Sequence, residues 1–316
     1  MIGSNLVRTL LAHPDQPAVF VADDFSRGRR ENLRDRGELI LPAPHLHEVD
    51  LRDPPNCLRA AAGMDEVYHL ADVVGGIEFV LGNQVRIFRD NLAIDTNMLA
   101  AAAEAGVRRF LYVGTACSYP HEKQMNPDAP PLKEADALPA NPESAYGWSK
   151  LMGEYATLLH GRETAMATGV LRLHNVYGLP ADFSPERSQI IPALVRKAAC
   201  FPAERFVAWG SGAQARDFVH VDDVVRGMLT MMERGLGPDV IQLGSQQATT
   251  VQEIAEIVVR VSGKPIRIEY DTGKPEGDRV RRADTARARA VLGWEAHVEL
   301  SDGIRRMYDH FSQLGK

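Results

Sequence analysis

Cysteine is scarce in this 316-residue sequence: Cys57, Cys117 and Cys200 are odd in number, widely separated and free of CxxC spacing. That pattern argues against a disulfide frame and against a structural zinc site. Long apolar runs are missing too. No stretch approaches the roughly 18 consecutive apolar residues of a spanning helix, and the N-terminus lacks the layout of a secretory signal. A cytoplasmic protein is therefore expected. Basic charge is in deficit, with 36 Lys and Arg against 42 Asp and Glu and a formal net charge of −6. Such a chain is not built mainly to hold nucleic acid phosphates or an anionic membrane face, although local arginine clusters can still take an acidic ligand. The 10 histidines contain no HExxH. His45 and His47 form an isolated HxH in a Pro-flanked loop, read as a solvated connection, and no metal is expected.

What is present is ordinary globular material: 45% hydrophobic and 25% charged residues. Disorder, collagen and coiled coil are set aside, and the length exceeds the roughly 100–150 residues of one typical domain. Apolar runs of strand length at 18–22, 66–70, 109–114 and 168–173 alternate with amphipathic segments such as 91–105 and 144–159. Strict alternation implies right-handed crossovers and a parallel sheet covered on both faces, a doubly wound α/β fold. From about Gly178 the pattern loosens, with helices expected near 191–199, 251–262 and 285–292. The division that follows assigns 1–173 and 215–244 to a Rossmann dinucleotide-binding domain, and 174–214 and 245–316 to a smaller ligand-binding lobe. The Pro-rich stretch 124–142 reads as a surface loop. Residues 1–7 read as the entry to a helix, whereas a dinucleotide-binding unit needs one more strand and a Gly-rich turn before it. Only the last glycine of such a turn, Gly3, is present, so the true start is expected upstream.

Two local patterns carry chemistry. Asp23 closes the second expected strand, where a carboxylate accepts both ribose hydroxyls of an adenosine and repels a 2′-phosphate, favouring NAD over NADP. From this residue alone, a loop aspartate capping Asp24, Phe25 and Ser26 reads equally well. Asp50 and Leu51 follow another apolar segment and are placed beside the adenine. Tyr146 and Lys150 stand four apart on an expected helix, hence on one face. An ammonium and a bound nicotinamide would both favour phenolate over phenol, lowering the tyrosine pKa from about 10 toward the working range.

With these pieces in place the chain resembles, over essentially its whole length, the extended short-chain dehydrogenase/reductase family of nucleotide-sugar epimerases and dehydratases. The matching segments are Ile2-Gly3-Ser4, VADDFSRG at 21–28, His69-Leu70-Ala71, Tyr146 with Lys150, NVYG at 175–178, RDFVHVDD at 216–223 and LGW at 292–294. The resemblance implies that Thr115 partners the sugar oxygen, that Tyr146 is the redox acid/base and that Lys150 tunes it and anchors the ribose. Gly3, Asp23, Asp50, Leu51 and Leu70 would join Tyr146 and Lys150 around NAD. VGGI at 74–77, TACSYP at 115–120, FVAWGSG at 206–212 and PEGDRVR at 275–281 narrow the match to the GDP-mannose 3,5-epimerase and GDP-fucose synthase branches. These branches use a cysteine at the position of Cys117 to move protons beside a transient 4-ketone. They place Lys or His where this chain has Gln189, and a carboxamide neither gives nor takes a proton near neutral pH.

A nucleotide-diphosphate sugar, GDP-hexose favoured, is the expected partner. Arg216, Arg279 and Arg281 suit its paired phosphate oxygens, and Gly76, Asn175, Gln189 and Lys197 match substrate-contacting positions. The expected activity is NAD-dependent epimerisation at carbon 3 and/or carbon 5, working as a homodimer through 91–105 and 144–159. Double inversion is in doubt because of Gln189; water or His174 remain as second carriers. A simple 4-epimerase, and a non-catalytic protein that binds NAD and nucleotide sugar, stay open. Cys117 also reads as a small buried residue.

Overall fold

The structure, a computed structural model, describes residues 1–274 and 276–314. Pro275, the head of one matched segment, lies outside the described residues. The first half runs α1 (Ile2–Leu11), β1 (Val21–Asp23), a short hairpin of β2 (Arg34–Asp35) and β3 (Glu38–Leu39), β4 (Leu46–Glu48), α2 (Pro54–Ala61), β5 (Glu66–His69), α3 (Ile77–Gly82), α4 (Gln84–Glu104), β6 (Arg109–Thr115) and α5 (Ala145–Glu163). The second half runs β7 (Ala167–Leu173), β8 (Asn175–Tyr177), α6 (Ile190–Cys200), β9 (Val207–Trp209), β10 (Ala215–His220), α7 (Val221–Arg234), β11 (Val240–Leu243), β12 (Ala248–Thr250), α8 (Val251–Ser262), β13 (Glu269–Asp271), β14 (Val280–Arg281) and α9 (Leu300–Leu314).

The main sheet is parallel with order β11-β7-β6-β5. Its side chains alternate between two cores, as the period of two in a strand requires. Leu111, Val113, Leu171 and Leu173 point to one side, where they pack with Leu6 of α1 and Val224, Met228 and Met231 of α7. Phe110, Tyr112 and Val170 point to the other, against Cys57 of α2 and Ile94, Met98 and Leu99 of α4. Full burial of a Leu, Val or Phe side chain contributes about 1.5–3 kcal/mol, so both faces must be covered; the doubly wound α/β expectation holds. β1 and β4 form a separate parallel pair, and no ladder joins them to β5 among the described residues.

A second sheet has β10 at its centre, paired with β8, β12 and β14. β10, placed in the Rossmann part by the division drawn from the sequence, thus shares its ladders with strands of the smaller lobe, whereas α7, which follows it, packs on the main sheet. The core of α6, α8 and α9 lies around Ile191, Val195, Phe206, Phe218, Ile254 and Ile304. No described helix is long and apolar enough to cross a membrane.

Three local expectations change. The stretch 124–142 is not a plain surface loop: Gln124, Leu132, Glu134 and Ala137 are buried. Hydrogen bonds hold it down, from Leu132 N to Arg282 O at 2.8 Å, Arg172 Nη1 to Glu134 O at 3.2 Å and Gln242 N to Glu134 Oε1 at 3.2 Å. His47 sits on β4 rather than in a loop, and His45 stacks on Phe20 with ring centroids 3.9 Å apart. The segment 285–292 shortens to a π-helical turn, Ala288–Leu292, ended by Gly293 in the left-handed conformation.

The contact that positions the site is the one between α5 and β6. The buried face of α5 carries Gly147, Lys150, Gly153, Glu154 and Thr157, small or polar residues at helical spacing. A Cβ at 147 would overlap the Cys117 carbonyl, and one at 153 would overlap the Tyr112 hydroxyl and the Asp95 carboxylate. Alanine favours a helix interior over glycine by about 1 kcal/mol, but overpacking costs roughly 1–3 kcal/mol, so steric cost decides the sign. Gly153→Ala is expected to lower the stability read from urea unfolding by about 1–3 kcal/mol, seen as a lower midpoint. Gly82→Ala, at a position with open space, is expected to stay within about 0.5 kcal/mol, and equal midpoints for the two would contradict the close approach.

Candidate active site

β6 ends at Thr115, whose hydroxyl accepts a hydrogen bond from Cys117 N at 3.2 Å and so caps the 3₁₀ turn Ala116–Ser118. Ser144 caps α5 from the other side, its hydroxyl accepting from Gly147 N. Tyr146 therefore lies in the first turn of α5 and Lys150 one turn on, both turned toward the end of β6. The Tyr146 hydroxyl donates to Asp72 Oδ2 at 3.0 Å, and Lys150 Nζ stands 3.8 Å from that same oxygen. The lysine is buried, with Nζ 4.4 Å from the centroid of the Tyr112 ring. Tyr112 in turn donates to Asp95 at 2.7 Å, and His69 Nε2 lies 2.9 Å from the same carboxylate.

The pairing of tyrosine and lysine is as expected, but its electrostatics are not. Burial pushes the Tyr146 phenol well above its ordinary range, and the Asp72 carboxylate and the Cys117 sulfur push the same way. A hydrogen bond with Thr115 pulls in the opposite direction. Burial first, and then the carboxylate that faces both the hydroxyl and the ammonium, favour the phenol over the phenolate. The spacing of Tyr146 and Lys150 carried no trace of Asp72.

Cys117 meets Arg281, whose Nη1 lies 3.2 Å from Sγ. The guanidinium also donates to Gln124 Oε1 and to Asp278 Oδ2. Burial works against its charge, yet the Cys117 sulfur and Asp278 outweigh that and hold Arg281 firmly protonated. Arg216 lies beside it, donating to Asp278 O at 2.7 Å and to Ala215 O at 2.9 Å. Burial first, then the charge of Arg281, brings the Arg216 pKa down to about 10. Arg279 is exposed and 3.4 Å from Glu276. His121, Glu143 and Asp278 offer ligand atoms within 4.8 Å of one another. His121 Nδ1 is already 2.6 Å from Asp278, which also pairs with Arg281. With a guanidinium neutralising that carboxylate, the cluster does not need a metal ion.

On the cofactor side, Asp23 ends β1 with Oδ1 accepting from Phe25 N at 2.7 Å. Burial raises its pKa while that backbone bond lowers it. The local capping reading and the ribose reading are compatible, since Oδ2 is not part of the cap bond. No Lys or Arg among the described residues pairs with Asp23. Gly3 lies in the first turn of α1, and a Cβ there would meet nothing within 4 Å. Open space at a helix N-terminus, an uncommitted carboxylate oxygen and the Tyr146–Lys150 pair fit the pyrophosphate, ribose and nicotinamide parts of a dinucleotide. Asp50 is tied to Arg52 at 2.6 Å, and Leu51 is buried in the α2–α4 core. Leu70 packs at the edge of the core shared by α1 and α7.

The remaining expected residues belong to three different segments. Gly76 precedes α3, Asn175 is on β8 and Gln189 precedes α6 and is exposed. Lys197 directs Nζ to Val207 O at 2.5 Å, and burial lowers its pKa. Sequence reasoning missed Asp72, Gln124, His121 and Asp278. One signal was available: Asp72 is a charged residue directly after the apolar end of a strand.

Comparison with known proteins agrees with this geometry. The family model described as "NAD dependent epimerase/dehydratase family" matches residues 1–244. The chain is 35% identical to a GDP-mannose 3,5-epimerase of Arabidopsis thaliana, covering 83% of this chain and 69% of the relative. It is 33% identical to GDP-L-fucose synthase 1 of the same plant, over 70% of this chain and 68% of the relative. Among solved structures, a UDP-glucose 4-epimerase from Thermotoga maritima, with UDP-glucose, superposes with a TM-score of 0.88 at 26% identity, covering 100% of this chain and 97% of the other. A dTDP-glucose 4,6-dehydratase from Streptomyces venezuelae with NAD bound gives 0.82 at 26% identity, covering 99% and 94%. Site and likeness agree: the chain is an enzyme of the NAD dependent epimerase/dehydratase family.

Proposed function

We propose that the enzyme epimerises a GDP-hexose at carbon 3 and/or carbon 5 through a transient 4-ketone, with Cys117 as the group that moves the carbon-bound proton. The observation that carries this reading is the Cys117 sulfur beside the Arg281 guanidinium at 3.2 Å, two residues past Thr115. The 35% identity to a GDP-mannose 3,5-epimerase supports the choice of sugar nucleotide.

Bound NAD supplies the hydride acceptor for oxidation at carbon 4. The Tyr146 oxygen takes the proton of the 4-hydroxyl, with Thr115 sharing the hydrogen bond that orients it. Once carbon 4 is a ketone, the neighbouring carbon-bound protons become acidic; Cys117 as thiolate removes one from one face, and a water on the opposite face gives a proton to the resulting enolate, completing the inversion. The thiolate is the form that takes a proton, and a positive neighbour favours that form; Arg281 is the neighbour here. The sequence placed Arg281 with Arg216 and Arg279 on the diphosphate; in this proposal Arg281 serves the thiol while the other two face the phosphates. Gln189 supplies no second proton carrier, which favours one inversion over two. A homodimer is part of the proposal, supported by the exposed Val85 and Phe88 on α4 and Tyr155 on α5.

A 4-epimerase reading is favoured by the TM-score of 0.88 to a UDP-glucose 4-epimerase and by Gln189. In that reaction no carbon acid is touched. Incubation of GDP-mannose with enzyme and NAD in deuterium oxide, followed by proton NMR, separates the two. Solvent deuterium is expected at carbon 3 or 5, and Cys117→Ala is expected to slow that exchange by about 100-fold. Label at neither carbon, or an undiminished Cys117→Ala enzyme, retires the proposed role. The thiol itself gives a second check. Burial pushes Cys57 up to about 11, so alkylation by iodoacetamide near neutral pH reports chiefly on the other two thiols. Arg281→Gln is expected to slow labelling of Cys117 by about tenfold relative to Cys200; an unchanged ratio would mean that the guanidinium does not activate the sulfur.

A further inference from the structure

His121 opens the 3₁₀ turn His121–Gln124, and its backbone N donates to Asn141 O at 2.8 Å. Its side chain is 37% exposed, yet Nδ1 lies 2.6 Å from Oδ1 of Asp278, a fully buried carboxylate. The other oxygen of Asp278 accepts from Arg281 Nη2, and Arg281 Nη1 stands 3.2 Å from Cys117 Sγ. A carboxylate only accepts, so Nδ1 carries the proton toward Asp278, and the second ring nitrogen is the one that takes up another. Gln124 gives its amide nitrogen to Tyr119 O and Pro120 O and turns Oε1 to Arg281, which holds the guanidinium in place whatever the charge of His121.

A charge count gives the consequence. With His121 protonated, the imidazolium matches Asp278 and the guanidinium charge is left for a thiolate. With His121 neutral, Asp278 and the thiolate compete for Arg281, and the buried cluster holds one negative charge too many. The other charged and titratable groups facing it leave that difference intact. Arg216 on β10 and Glu143 before α5 are of opposite sign. The exposed Glu122 and Lys123 of the turn itself are engaged by Asn141 and Asp136. Burial favours the neutral form of His174 at the end of β7.

We propose that protonated His121 is a positioning residue for Cys117: it takes up the charge of Asp278 and so leaves the charge of Arg281 to the sulfur. The inference rests on the reading of Cys117 as the group that moves the carbon-bound proton. His121 acts only through Asp278 and Arg281.

Alkylation of the whole enzyme by iodoacetamide, read by mass spectrometry as the rate at Cys117 relative to Cys200, tests the coupling without turnover. At about pH 6, where a histidine carries charge, His121→Gln is expected to lower that ratio by about threefold or more. His121→Lys keeps a cation and is expected to stay near the unaltered enzyme. The gap between His121→Gln and the unaltered enzyme is expected to close by about pH 8.5, as the histidine loses its charge. Asp278→Asn keeps an acceptor for Arg281 and removes the contested charge, so added to His121→Gln it is expected to restore the ratio to within about twofold. A gap that persists unchanged to the higher pH, or His121→Lys as slow as His121→Gln, would make His121 a structural prop and overturn the inference. Both results come from an exposed position, so they stand even where the buried Asp278→Asn fails to fold. In deuterium exchange with GDP-mannose, His121→Gln is expected to lower kcat with little change in KM. Undiminished exchange in Cys117→Ala would remove the reading on which the inference rests, whatever the alkylation ratio shows.

Discussion

The structure depends on how closely α5 lies against β6. Gly147 and Gly153 on the helix and Gly114 on the strand have no room for a Cβ, the obstacles being the Cys117 carbonyl, the Tyr112 hydroxyl and the Glu154 carboxylate. That approach brings the first two turns of α5 to the end of β6, where Tyr146, Lys150, Thr115 and Cys117 share one small volume. It also buries polar groups that must be satisfied internally. Lys150 lies over the Tyr112 ring, Tyr112 and His69 converge on Asp95, and Arg172 pairs with Glu154 at 2.6 Å. These networks fix the backbone on which the reactive groups stand.

Around that backbone the charges fall into two sets. Asp72 and Lys150 govern the tyrosine, and Arg281, Arg216 and Asp278 govern the thiol. The first set puts a carboxylate and an ammonium beside the phenol. The second puts positive charge at the sulfur and at the mouth of the site while the chain as a whole is negative. Local sign and global sign differ because Asp278 and Gln124 anchor Arg281 from behind. In the proposed reaction the two sets serve different tasks, a group that exchanges a proton with oxygen and another that exchanges one with carbon, as chemistry beside a transient ketone requires.

Much of the scaffold was legible in the sequence. Alternation of apolar runs and amphipathic segments gave the parallel sheet and both covering layers, since burial on two faces leaves continuous apolar strands such as Phe110 to Val113. The segment at 18–22 became β1 at Val21–Asp23 because its partner, β4, starts opposite Val21. The 124–142 stretch was misread: its prolines signal irregular backbone, but irregular backbone can be buried when other elements satisfy its polar groups, as Arg282, Arg172 and Gln242 do here. Tyr146 and Lys150 were found because a helix fixes residues four apart on one face.

By itself the sequence determined which residues share a strand or a helix face and which strand end carries a tyrosine, a lysine, a threonine and a cysteine. Periodicity and spacing are local, and local geometry is enough for that. Only the tertiary structure decided that Asp72 meets a tyrosine 74 positions on and that Arg281 meets a cysteine 164 positions back. Neither contact has a local signature: the first forms as α5 packs against the main sheet and the second as β14 meets the end of β6, and the charge around a titratable group is a property of that assembly rather than of its neighbours in the chain.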